Sequence, residues 1–221
     1  MNTATSQSEQ QPPTNLLPII GIDVGQKRDP TAIAVAELEY RRIPDPTTEF
    51  GRKESHYLVR FVERLPLGTP YPDIARRLSE ICTLAREKTG RQPQVYVDAT
   101  GVGTPVVDLL KAQAKHTFIW AVYFTHGDRR SEEMRERKIT LGKAFLVSRL
   151  QTLLQSRRLH LPQSTEARAL AQELLDYEIR VDEDANDKYG AFRVGTHDDL
   201  VTALGLAVHK EPVVTVYASD D

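Results

Sequence analysis

Two apolar runs of strand length, Pro18-Ile-Ile-Gly-Ile-Asp23-Val-Gly25 and Pro93-Gln-Val-Tyr-Val-Asp98, carry an aspartate at or near their C-terminal end. A carboxylate among apolar neighbours is costly unless it is paired or bound to metal. Any fold for this chain must therefore bury both strands and still find a use for both acids. The segments around them narrow the choice. Gln26–Pro30 reads as a turn, in which Asp29 before Pro30 is a structural turn initiator, and Thr31–Glu39 resumes a β pattern. Strand, short turn and strand give an antiparallel hairpin.

The later segments read as strands alternating with helices. Residues 40–55 are polar and read as a loop, and His56–Arg64 as a third strand. Tyr71–Lys88 has Ile74, Leu78, Ile81 and Ala85 at helical spacing. After Asp98, the Gly101 and Gly103 turn leads into a helix with Thr104 as N-cap and Pro105 at its first position, running through Val106, Val107 and Leu110. Thr117–Val122 is a fifth strand. Connections of this kind imply parallel pairing with right-handed crossovers. Helices follow over about Thr140–Ser156 and Thr165–Tyr177. Glu178–Val181 and Ala191–Val194 form a further hairpin around an acidic loop, where Asp182, Glu183, Asp184 and Asp187 read as a solvated tip. The whole is a mixed α/β protein with a five-stranded sheet and helices on both faces.

Thr196-His197-Asp198-Asp199 opens the last helix, in which Leu200, Val201, Leu204 and Val208 share one face and the two acids point away from the core. One reading is purely structural. Thr196 and Asp199 fit a capping box, acids offset the positive end of the helix dipole, and His197 packs beside the cap. The other reading joins these acids to the strand ends. Sites in α/β sheets form at the carboxyl ends of neighbouring strands. If the strands of Asp23 and Asp98 are adjacent, Asp199 can reach them from above. Such a cluster selects hard cations, Mg²⁺ or Mn²⁺. Two ions about 4 Å apart would activate water and stabilise a leaving oxygen in phosphodiester cleavage, with no Ser, Cys or His nucleophile.

Composition limits the remaining options. The 221 residues suffice for one domain, expected over 18–212, with a disordered tail at 1–17 and a C-terminal tail at 213–221. No apolar run approaches the roughly 18 residues of a membrane span, and no signal peptide is evident. The single cysteine, Cys82, excludes an internal disulfide, reads as a packed thiol and fits a reducing compartment. Net charge is only -2, but the charges are segregated. Between His126 and His160 stand Arg129, Arg130, Arg135, Arg137, Lys138, Lys143, Arg149, Arg157 and Arg158, opposed only by Asp128, Glu132, Glu133 and Glu136. A basic segment of this kind suits a nucleic-acid backbone.

Taken together, Gly21-Ile-Asp23-Val-Gly25 with Asp29-Pro-Thr-Ala32, Val97-Asp98-Ala-Thr-Gly-Val-Gly103 and His197-Asp-Asp-Leu-Val-Thr-Ala-Leu204 resemble the nuclease domain of phage terminase large subunits. Lys143–Gln155 and Arg158–Pro162 share the resemblance. It implies a ribonuclease H-like fold, with strand order 3-2-1-4-5, strand 2 antiparallel and an extra C-terminal hairpin. It also implies a metal-dependent endonuclease on double-stranded DNA. Asp23, Asp98 and Asp199 would be its catalytic ligands for two Mg²⁺ or Mn²⁺ ions, and Asp198 an adjacent metal-binding acid. Lys143, Arg129, Arg130, Lys138 and Arg149 would then contact DNA. The implied setting is phage DNA packaging in a bacterial cytoplasm, beside an ATPase motor domain, a small terminase subunit and a portal, with no membrane.

Two departures stand out. Relatives often carry a further acid where this chain has Thr202, and no Gly-x-x-x-x-Gly-Lys-[Ser/Thr] phosphate loop occurs. Alternative readings are a Holliday-junction resolvase-like nuclease, a non-catalytic DNA-binding relative that keeps the fold, and an actin-like ATP-binding domain. The last opens on a similar glycine-flanked aspartate but needs two such domains around a nucleotide.

Overall fold

The computed structural model describes residues 16–25, 29–47, 51–114, 117–176, 178–181, 187–190 and 198–210. The expected tails fall outside this set, except that Leu17 already begins the first strand. Thr196, His197 and Ala191–Val194 also lie outside it.

Strand β1 (Leu17–Asp23) pairs antiparallel with β2 (Ala32–Ile43), which pairs antiparallel with β3 (Arg52–Arg64). Half of the polar stretch read as a loop, 40–43 and 52–55, is therefore strand, so β2 ends later and β3 begins earlier than expected. On the other side, β1 pairs in parallel with β4 (Gln94–Asp98), and β4 with β5 (Phe118–Thr125). The order β3-β2-β1-β4-β5 is the expected one.

Among the described residues the sheet nevertheless has eight strands rather than five. A hairpin of β6 (Arg130–Glu133) and β7 (Lys138–Gly142) adds to the β5 edge, and β8 (Leu159–His160) pairs in parallel with β3 at the far edge. The hairpin lies inside the basic segment, where charge hides a period of two: Ile139 and Leu141 are fully buried while Lys138 and Thr140 are only half-buried. A separate two-stranded ladder joins β9 (Glu178–Val181) to β10 (Asp187–Gly190), so the second strand comes earlier than Ala191.

Helices α1 (Tyr71–Thr89) and α2 (Gly103–Gln113) cover one face through Ile74, Leu78, Val107 and Leu110. Gly103 itself takes φ +69 at the start of α2, and Val102 is the N-cap, so neither Thr104 nor Pro105 holds the position expected of it. The other face carries α3 (Lys143–Gln155), α4 (Thr165–Asp176) and α5 (Asp199–Val208).

The last helix is not an amphipathic surface helix. All ten of its residues are buried, because α3 and α4 close over the face it turns from the sheet. It lies unusually near the strands. A Cβ on Gly21 would stand 1.9 Å from the Ala203 carbonyl oxygen and 2.6 Å from Ala207 N. Gly205 makes the same allowance for Leu146 of α3 on its other side. Small residues at these contacts let this largely apolar helix sink onto β1 and β2 and fix the height of its first turn above the sheet.

Candidate active site

Asp23 and Asp98 end parallel neighbours, in the register Ile22↔Val97, so their side chains leave the same edge of the sheet. Local bonds hold each strand end in place. Gly25 N donates to Thr31 Oγ1 at 3.0 Å, closing the turn after Asp23, and Thr100 N donates to Asp98 Oδ1 at 2.8 Å. Thr100 in turn accepts the Phe124 N–H at 2.8 Å, tying the Asp98 turn to β5.

The first turn of α5 arrives above this edge. Burial, and then the charges of Asp98, Asp198 and Asp199 in falling order, push the Asp23 carboxyl well above its ordinary range. The Lys143 ammonium opposes them. The fold therefore brings Asp98, Asp198, Asp199 and Lys143, from distant stretches of chain, within electrostatic reach of Asp23. Among the described residues, no three acid, imidazole or thiol groups stand as a closed ion cage. The gathering supplies concentrated negative charge on hard oxygen donors, the chemistry that suits Mg²⁺ or Mn²⁺.

Lys143 owes its place to another close approach. It is the first residue of α3, directly after β7, and its preceding Gly142 sits where a Cβ would meet Gly127 O at 2.1 Å. Gly142 N donates to Arg129 O at 2.8 Å and Ala144 N to Gly127 O at 3.1 Å. The ammonium stands 5.5 Å from the centre of the Phe124 ring.

The adjacent acids of α5 have different surroundings. Asp199 is buried and receives Arg64 Nε on Oδ2 at 2.7 Å and Arg64 Nη2 on Oδ1 at 3.3 Å. It does not point away from the core as expected. Asp198 is half-buried at the N-cap position, where its side chain makes no capping bond. Thr202, one turn further along α5, is buried, and its N–H is given to Asp198 O at 2.9 Å. Arg64 and the Glu173 carboxylate bonded to it escaped the sequence reading. An arginine ending a strand and a glutamate on an amphipathic helix carry no local mark of what they meet.

The basic residues divide as well. Arg149 is an internal brace, donating from Nε to Val208 O at 3.1 Å and from Nη2 to Tyr57 Oη at 2.9 Å. Arg130 donates to Glu132 at 2.7 Å along β6 of the edge hairpin. Lys138 lies 3.2 Å from Glu133. Arg129 is exposed, and Lys143 faces the acids.

A profile of the terminase RNaseH-like domain family matches residues 75–211, well over half the chain. That span holds Asp98, Lys143, Asp198 and Asp199 but begins after Asp23. No curated protein matches. Among solved structures, the chain is similar to the large terminase nuclease from thermophilic phage G20c with bound magnesium, at 21% identity and TM-score 0.59, covering 89% of this chain and 82% of that one. It is also similar to a mutant nuclease domain of the large terminase subunit of bacterial virus Sf6 with manganese, at 11% identity and TM-score 0.58, covering 90% and 91%. The manganese-soaked terminase nuclease domain of human cytomegalovirus follows at 10% identity and TM-score 0.55, covering 87% and 82%. At these identities the likeness establishes a shared ribonuclease H-like fold.

Proposed function

Since the chain belongs to the family of terminase RNase H-like domains, we propose that it is a divalent-metal-dependent endonuclease that hydrolyses DNA phosphodiester bonds. The observation that carries this reading is the convergence of Asp98, Asp198, Asp199 and Lys143 on Asp23. The metal-bound states of the structural neighbours support it.

Asp23, Asp98 and the Asp198–Asp199 pair would hold one or two Mg²⁺ or Mn²⁺ ions. Bound cations supply an activated water and charge stabilisation on the phosphate. The chain's own residues do the rest. Asp23 is paired with Ala32 of β2 and follows Ile22, the last β1 residue paired with β4, and Thr100 N–H fixes the carboxylate of Asp98. Lys143 offers a positive charge on the same edge, placed to take a non-bridging phosphate oxygen, and exposed Arg129 extends the basic surface. Such contacts neutralise backbone phosphates without reading sequence. We further propose that the substrate is duplex DNA and that the domain serves packaging beside an ATPase motor.

Supercoiled plasmid incubated with Mn²⁺ should be nicked and linearised, and a chelator or Asp98→Asn should stop it. An intact plasmid with the folded wild-type protein would sink the proposal. Preference for four-way junctions over plain duplex would favour the resolvase-like reading.

A further inference from the structure

An aspartate at a helix N-cap ordinarily accepts the N–H of the second or third helical residue. Asp198 occupies that position on α5 and makes no such bond. The donors are met from another helix. Glu173 of α4 accepts Leu200 N at 3.0 Å and Val201 N at 3.4 Å through one oxygen, while its other oxygen pairs with Arg64 Nη2. Glu173 is buried, so this cap is shielded from water. Arg64 then turns its guanidinium onto both oxygens of Asp199. Its place follows from register: Asp23 pairs with Ala32 and Ala32 with Arg64, so Arg64 lies in the cross-strand row of Asp23, two strands out.

These bonds divide the two acids. Asp199 is drawn outward toward β3 by Arg64. Asp198 is relieved of capping and is the less buried of the pair. We propose that Glu173 and Arg64 are positioning residues: Glu173 caps α5 in trans and Arg64 ties back Asp199, which leaves Asp198 as the α5 carboxylate that faces a bound cation. This rests on the metal-dependent reading above and adds the device that aims the acid pair.

The test is Mn²⁺ binding by calorimetry on the full chain, kept well below each variant's melting temperature. Glu173→Ala should weaken Mn²⁺ by about tenfold, a usual cost of losing a group that orients a ligand, because Asp198 then turns back to cap its own helix. Glu173→Gln keeps an oxygen for both N–H groups and should restore most of the affinity. Asp198→Asn should lose more affinity than Asp199→Asn, whose main cost should be thermal stability through an unpaired Arg64.

Wild-type affinity in folded Glu173→Ala, or a greater loss in Asp199→Asn than in Asp198→Asn, overturns the proposal. If Glu173→Ala does not fold, the Asp198 and Asp199 comparison decides alone. A wild-type protein that binds no Mn²⁺ sinks the nuclease reading itself, an outcome separate from both.

Discussion

Asp23 stands near the end of an apolar strand with three other carboxylates and one ammonium around it. Its carboxyl is raised, so the folded protein holds that proton more tightly than the unfolded chain does. The sign follows from linkage: ionised Asp23 destabilises the fold at neutral pH, and the cost fades as pH falls through its raised value. Asp23→Asn should therefore raise the melting temperature of metal-free protein by a few degrees while abolishing plasmid nicking. A lower melting temperature would show that Asp23 is stabilised by something other than a cation. Lys143 and Arg149 are both helix cations, and only their contacts separate them. Lys143→Ala should lower the salt dependence of DNA binding by about one phosphate contact. Arg149→Ala should leave that slope alone and cost about 2 kcal/mol of stability, since Tyr57 and the Val208 carbonyl lose a charged donor. Equal slopes for both variants would undo the distinction.

At the scale of elements, α5 is the piece that the rest accommodates. A helix buried on every side is held by packing rather than by propensity. Its closeness to β1 leaves no room for a methyl group at Gly21. Gly21→Ala should destabilise by about 1–3 kcal/mol or more, the range for overpacking, read from a urea midpoint. Because lifting α5 also lifts Asp198 and Asp199, the same variant should lose Mn²⁺ affinity, and unaltered affinity would detach the helix from the site. The edge hairpin β6–β7 shows how a sequence signal can be masked. Arg135, Glu136, Arg137 and Lys138 read as part of a basic segment with no strand in it, yet Ile139 and Leu141 complete a buried strand against β5. Sheet extension here depends on a neighbour's edge, which no local pattern records.

Over the whole molecule, acid stability should be limited by His209, just past α5. It is buried against Tyr96, with Nδ1 bonded to Leu206 O at 2.8 Å, and burial lowers its pKa from 6.5 to about 4. Its neutral form is favoured by folding, so its contribution is complete above pH 6.5 and is lost as pH falls toward 4. The wild-type stability curve should carry up to about 1.4 kcal/mol per pH unit from this group in that window, and His209→Leu should flatten it. An equally steep curve in the variant would assign the acid limb elsewhere.

The amino-acid sequence by itself determined the first hairpin, the five central strands with the ends that carry Asp23 and Asp98, and the apolar helix headed by two acids. Each of these is written in local periodicity and turn chemistry, whereas the order of those strands came from the family resemblance. Only the tertiary structure decided that Asp199 meets Arg64, that Glu173 caps a helix it does not belong to, and that Arg149 turns inward. Those contacts join residues between 27 and 135 positions apart, and a side chain's partner at that separation is chosen by packing, not by its neighbours in the chain.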